Sequence, residues 1–212
     1  ILDHIIENIL SIPVVDEIFV VTNERFYQHF ADWKKESNYE VPITVYNDGT
    51  TNNENRLGAL GDLKFVIDRA NIEDDIIVAA GDNLMDFSLK ALYDFYEKVQ
   101  SCCVCVKEVE DHEIEKMAIV LMDESNRVTD FEEKPKNPKS NLGAFAVYIY
   151  TKDTLKLLDE YLRTGNNPDA PGYFPAWLYK RVPIYAYRFE GSCYDIGTHD
   201  AYAEVQKLYK DR

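Results

Sequence analysis

The sequence predicts an α/β fold, with a parallel sheet and helical crossovers in its first half and a mixed half built on antiparallel strands behind it. Three observations predict it. Apolar runs at 16–22, 42–46, 75–80 and 102–106 alternate with stretches of helical spacing, the rhythm of βα units with right-handed crossovers. After Glu108 the rhythm changes, and residues 117–122 and Val128–Glu133 form two strands joined by Asp123-Glu124-Ser125-Asn126, a hairpin signal. The chain has 212 residues, 46% hydrophobic and 29% charged, enough for one sizeable core, and it reads as a single domain over 1–212.

Each element has its own warrant. Leu2, Ile5, Ile6, Ile9 and Leu10 fall at helical spacing. Residues 16–22 follow a proline and run continuously apolar, as a buried parallel strand does. Asn23 caps a helix over 24–35, and 42–46 is a second short strand. Residues 47–55 are a polar, turn-rich loop, and helical spacing returns over 56–70. Residues 75–80 form the strand most deeply buried by pattern, ending at Gly81-Asp82-Asn83. Ser88 caps a helix to about Gln100, and 102–106 is the next strand. Beyond the hairpin, 143–150 is a strand ended by Thr151 as a helix cap. A turn-rich loop over 164–172, a short helix over 174–181, a strand over 183–189 and a terminal helix from Thr198 or His199 complete the chain.

A net charge of −15 argues against nucleic-acid and anionic-membrane partners, which need a basic footprint. It leaves a nucleotide ligand open, because a few lysines, backbone N–H groups and Mg²⁺ can hold a triphosphate in an acidic protein. Cys102 and Cys103 point to opposite faces of a strand, while Cys103 and Cys105 share one. The four cysteines read as small apolar residues of a reduced, cytoplasmic protein rather than a metal site. No apolar run is long enough to span a bilayer, and no signal peptide is present.

Three clusters carry chemistry. Asp82 sits where a buried strand ends, the place where open α/β sheets bind ligands, and Gly81 allows an unusual backbone angle or close ligand approach. Asp130-Phe131-Glu132-Glu133-Lys134-Pro135 closes another strand with acid, base and proline. If the pleat stays regular, Glu132 and Lys134 share one face and Glu133 takes the other, and Lys134 offers a point charge for phosphate. Asp195, in Tyr194-Asp195-Ile196-Gly197-Thr198, is a carboxylate in an apolar stretch that a metal ion or a helix N-terminus would satisfy. The bland alternatives are a turn aspartate, a solvated charged strand end and a helix cap. His4, His29 and His112 stand without spaced partners, and no Ser–His–Asp, Cys–His or zinc spacing is present. Asn47 could read a pyrimidine edge, since an amide offers both donor and acceptor.

In this order the three clusters resemble the sugar-nucleotidyltransferase family, whose best-known members are glucose-1-phosphate thymidylyltransferases and uridylyltransferases. The resemblance covers essentially the whole chain. It implies a Rossmann-like nucleotide-diphospho-sugar transferase fold, with a mixed, mostly parallel central sheet flanked by helices. It implies a reaction joining a nucleoside triphosphate, by expectation a pyrimidine one, to a sugar 1-phosphate such as glucose 1-phosphate, with release of pyrophosphate. Under it, Asp82 and Asp195 would hold Mg²⁺, Glu133 would accept a sugar hydroxyl, and Lys134 would bind the sugar phosphate. Asp82, Lys134 and Asp195 would be catalytic, with Asn47, Gly58, Gly81 and Gly143 joining Glu133 and Lys134 in substrate binding. A homo-oligomer is a further implication of the resemblance. The family's opening strand and Gly-rich triphosphate loop have no counterpart in this sequence, which begins inside an amphipathic helix; without them, little or no activity is expected. Position alone places residues 169–174 near the acceptor. Competing readings are transfer to a non-sugar phosphate such as phosphocholine, and an inactive nucleotide-sugar-binding domain. A nucleotide-sugar-dependent glycosyltransferase is disfavoured because Asn83, not a second acid, follows Asp82.

Overall fold

The computed structural model describes residues 1–210. Its elements are α1 (Leu2–Leu10), β1 (Ile18–Thr22), α2 (Glu24–Glu36), β2 (Ile43–Asn47), α3 (Ala59–Ala70), β3 (Ile76–Ala79), β4 (Asn83–Met85), α4 (Leu89–Val99), β5 (Cys102–Glu108), α5 (Asp111–Ile114), β6 (Ala118–Met122), β7 (Val128–Glu133), β8 (Leu142–Tyr150), α6 (Lys152–Arg163), α7 (Tyr173–Leu178), β9 (Ile184–Arg188), β10 (Cys193–Asp195) and α8 (His199–Lys210). None of the described helices is long and apolar enough to cross a membrane.

The nine-residue strand β8 organises the main sheet. Along one edge it pairs antiparallel with β5, which continues in parallel to β9. Its other edge is shared, because β3 pairs with Val147–Tyr150 whereas β6 pairs with Gly143 and Ala144. β7 then pairs antiparallel with β6. Strands β3, β5, β6 and β9 therefore run one way, and β7 and β8 run against them. The rhythm of the first half predicts a parallel sheet there, but β8, from the second half, lies antiparallel between β3 and β5. β1 and β2 pair in parallel as a separate two-stranded ribbon, and β4 and β10 form a second, antiparallel one.

Alternation along the strands sorts side chains into two apolar layers. On one face, Cys102, Val104, Val106, Tyr148 and Tyr150 meet α3, α6 and α7 through Leu60, Leu158 and Phe174. On the other, Cys103, Cys105, Val147 and Ile149 meet α1 and α4 through Ile5, Leu89 and Leu92. Cys102, Cys103 and Cys105 are buried free thiols split between the two layers as the strand period requires, and burial pushes the Cys103 and Cys105 thiols up.

The helix caps are partly local and partly tertiary. Asn23 accepts from the Phe26 N–H and Ser88 from the Ala91 N–H. Asn8 of α1 also reaches the start of α4, donating to the Phe87 carbonyl at 2.7 Å and accepting from the Leu89 N–H at 2.9 Å. Thr151 occupies the cap position of α6, but its hydroxyl bonds Thr154; Asp75, just before β3, accepts instead from the first N–H of α6, that of Lys152, at 2.7 Å. The predicted helix over 56–70 begins only at Ala59, because Gly58 has a φ of 77° that no helix accommodates.

Candidate active site

The acidic pair is assembled by a short ribbon. After β3 the chain turns at Gly81-Asp82, with Asn83 N–H donating to Ala80 O, and enters β4. β4 pairs antiparallel with β10 so that Asp195 lies opposite Asn83, and the Ile196 N–H donates to the Asp82 carbonyl at 2.9 Å. Both carboxylates face the same spot: a Cβ on Gly197 would lie 3.1 Å from Asp195 Oδ1 and 3.6 Å from Asp82 Oδ2. Burial, then the Asp195 charge, holds the Asp82 carboxyl above its ordinary range. Asp195 also accepts from the Gly197 N–H at 2.9 Å, while Thr198 caps α8 by accepting from the Ala201 N–H. Gly81 keeps an ordinary φ and has open space where a side chain would be. An unusual backbone angle is therefore not its role, and free approach to the turn is what it provides.

Glu133 and Lys134 stand at the same level of the sheet. Ala80 N–H donates to Ala146 O at 3.0 Å, and two residues further along β8, Ala144 pairs with Ala118, which pairs with Glu133. The Gly81-Asp82 turn and the end of β7 thus flank the point where β8 changes partners. The pleat does not stay regular to the end: Lys134 has a φ of 49°, in the left-handed region, and its N–H donates to Met117 O. Glu133 shares the face of buried Phe131 and turns inward, half-buried, whereas Glu132 and Lys134 are exposed. Burial raises the Glu133 carboxyl, opposed by the Lys134 charge.

A second group gathers at the end of β2 and the start of α3. Asn47 donates to Glu24 and accepts from the Gly49 N–H, so its amide is committed at both ends to shaping the turn. One N–H and one lone pair of the amide remain beyond these two bonds. Gly58 sits against the 164–172 loop: the Leu60 and Ala59 N–H groups donate to the carbonyls of Pro168 and Asp169 at 2.9 and 3.2 Å, and Arg56 pairs with Asp169 at 2.7 Å. A Cβ at Gly58 would stand 2.6 Å from Pro168 O. Gly58 is thus where loop and helix meet, and Asn53, Arg56, Leu57, Gly58, Asn167 and Asp169 line an open groove. Gly143 packs between strands, its missing Cβ space filled by Met117 and Val109 at 2.9 Å.

Comparison with known proteins shows the family of the chain. The nucleotidyl transferase family matches residues 1–212. The chain belongs to the nucleotidyl transferase family. Among curated relatives, a glucose-1-phosphate adenylyltransferase of Clostridium acetobutylicum is 35% identical over 127 residues, covering 58% of this chain and 33% of that one. One from Thermomicrobium roseum is 30% identical over 138 residues, covering 62% and 31%. The matched stretch is about a third of the length of these relatives. Among solved structures, a UDP-glucose pyrophosphorylase complexed with UDP-glucose superposes with a TM-score of 0.80 at 20% identity, covering 99% of this chain and 86% of that one. A glucose-1-phosphate thymidylyltransferase from Bacillus anthracis, described as putative in its source, gives 0.78 at 19%, covering 100% and 82%. These likenesses show a shared Rossmann-like nucleotidyltransferase fold.

The donor chemistry of the acidic pair is of the kind a divalent cation such as Mg²⁺ takes. Mg²⁺ is bound through one or two carboxylates, with waters and substrate phosphates completing the shell. Asp82 and Asp195 supply two converging carboxylates, and burial, followed by the Asp195 charge, raises the Asp82 carboxyl, a cost that a cation would relieve. No cluster of three or more acidic, His or Cys ligands occurs among the described residues. Sequence reasoning missed a further carboxyl pair, Asp48 and Asp62: burial and the neighbouring Asp48 push Asp62 up to about 7, and Asp62 Oδ1 is buried without a hydrogen-bond partner. Its only sequence signal is an acid in the first turn of α3, on a helix whose start was itself misplaced.

Proposed function

We propose that this chain carries the acceptor-binding and metal-binding parts of a sugar-1-phosphate nucleotidyltransferase site, acting on glucose 1-phosphate and a nucleoside triphosphate. The observation that carries this reading is that the Gly81-Asp82 turn, whose Asp82 faces Asp195, and the Glu133 end of β7 flank the point where β8 changes partners. A sugar-phosphate oxygen, already ionised at neutral pH, attacks the α-phosphorus of the nucleotide. The bond from that phosphorus to the bridging oxygen breaks, and pyrophosphate leaves with the electron pair. No proton has to be removed first, which suits a site without a histidine. Two anionic phosphates must approach, so cancelling their repulsion is the main catalytic demand. Lys134 supplies one positive charge, and Glu133 orients the sugar through a hydroxyl. Asp82 and Asp195 would hold Mg²⁺, which when bound would screen the nucleotide phosphates.

The β1–β2 ribbon and β3 each keep an unpaired edge among the described residues. A reducing, cytoplasmic setting suits the three buried free thiols. The test is pyrophosphate release by the full protein with Mg²⁺, glucose 1-phosphate and, in turn, ATP, UTP and dTTP. Release with at least one nucleotide is expected; phosphocholine in place of the sugar phosphate gives none. Silence with every nucleotide–sugar pair overturns the reading. Asp82→Asn should lower turnover by roughly 100-fold or more. Because charging Asp82 is disfavoured in the fold, the same variant should melt no lower than the parent in metal-free buffer at pH 7. An active Asp82→Asn protein removes Asp82 from the metal site.

A further inference from the structure

Gly172 is buried at the start of α7, with φ −71° and ψ −15°, a helical conformation open to any L-residue. Its lack of a side chain is therefore not demanded by the backbone. The group that a side chain there would displace is the Glu133 carboxylate, the tip of a flexible side chain. A Cβ at 172 would overlap Glu133 Oε2, and would lie 3.1 Å from Glu133 Cδ and 3.2 Å from Ala118 Cβ. The Glu133 carboxylate thus occupies the space that a side chain at 172 would fill.

The glycine is also held in place from both sides. Upstream, the carbonyls of Pro168 and Asp169 are bonded to the first N–H groups of α3, and Asp169 is paired with Arg56. Downstream, Phe174 and Leu178 are fully buried in the core. Neither anchor lets residue 172 retreat from Glu133, so the position of the loop is transmitted to the carboxylate.

We propose that Gly172 is a positioning residue for the acceptor: its empty side-chain space seats the Glu133 carboxylate, and the anchored 167–172 loop thereby sets where that carboxylate meets the sugar. This rests on Glu133 binding the sugar, as proposed above, and the test separates the two claims. The protein is assayed by pyrophosphate release in four forms: parent, Glu133→Ala, Gly172→Ala and the double variant. Glu133→Ala should raise KM for glucose 1-phosphate roughly tenfold or more and leave KM for the nucleotide within about twofold. If it leaves the sugar-phosphate KM unchanged, the role of Glu133 fails.

Gly172→Ala should raise the sugar-phosphate KM by a similar factor, because a displacement of about an ångström suffices for such losses. In the Glu133→Ala background, which removes the carboxylate, adding Gly172→Ala should change KM by less than about twofold. An equal effect in both backgrounds, or no effect of Gly172→Ala beside a strong effect of Glu133→Ala, overturns the positioning role. Should Gly172→Ala alone fold poorly, the same coupling is read in Tm. The double variant should then melt with Glu133→Ala, and a double variant as unstable as Gly172→Ala overturns the proposal.

Discussion

Lys134 combines an assigned role with a backbone cost. Its φ of 49° is a left-handed conformation that costs an L-residue about 1–2 kcal/mol and that glycine adopts freely. Lys134→Gly should therefore raise stability by about 0.5–1 kcal/mol, after allowing for the greater chain entropy of glycine. The same variant should lose roughly tenfold or more in KM for the sugar phosphate, since the point charge is gone. Urea unfolding alongside kinetics checks the pair of effects, and a variant that loses stability refutes the strain. Asp62 gives a pH signature. Its carboxyl titrates near 7 in the fold against an ordinary value near 4, so the folded state holds its proton more tightly. The stabilisation from this group is full below about pH 4 and is lost as pH rises towards 7. Asp62→Asn should flatten that part of the stability curve, and equal slopes between pH 5 and 8 in parent and variant would refute it. Asp82 and Glu133-Lys134 were legible because each ends a recognisable strand. The committed amide of Asn47 was not, since its partner Glu24 lies on a helix that only tertiary structure brings near.

At the level of elements, the contact between α3 and the 164–172 loop rests on one glycine. Gly58→Ala places a Cβ against the Pro168 carbonyl and forces an L-residue to a φ of 77°, so a loss of about 2–4 kcal/mol is expected in denaturant unfolding. A loss below about 0.5 kcal/mol would show that the loop yields. The long periodic elements were readable: α1, α2, α4, β5, β7 and β8 fall where spacing, caps and apolar runs put them. The three-residue strands β4 and β10 were not, because three residues cannot display a period of two, yet this ribbon is what brings Asp82 and Asp195 together. The α6 cap shows the same limit, since Asp75 caps it from a distant part of the chain.

Across the whole molecule, β8 carries the sheet and the β1–β2 ribbon stands apart from it without a shared hydrogen bond among the described residues. The amides of β5 and β8 should accordingly show the strongest protection in native-state hydrogen exchange, with β1 and β2 opening as a weaker, separate unit. Uniform protection across both sheets would contradict this. The sequence by itself determined the α/β class, the strand ends that bear Asp82, Glu133 and Lys134, and the two-faced burial of the cysteines. These follow from periodicity and from turn residues, which act over a few positions along the chain. Tertiary structure alone decided that β8 separates β3 from β5, that Asp195 meets Asp82, and that Gly172 seats Glu133. Those outcomes depend on hydrogen-bond pairing and excluded volume between segments tens of residues apart, for which local patterning carries no signal.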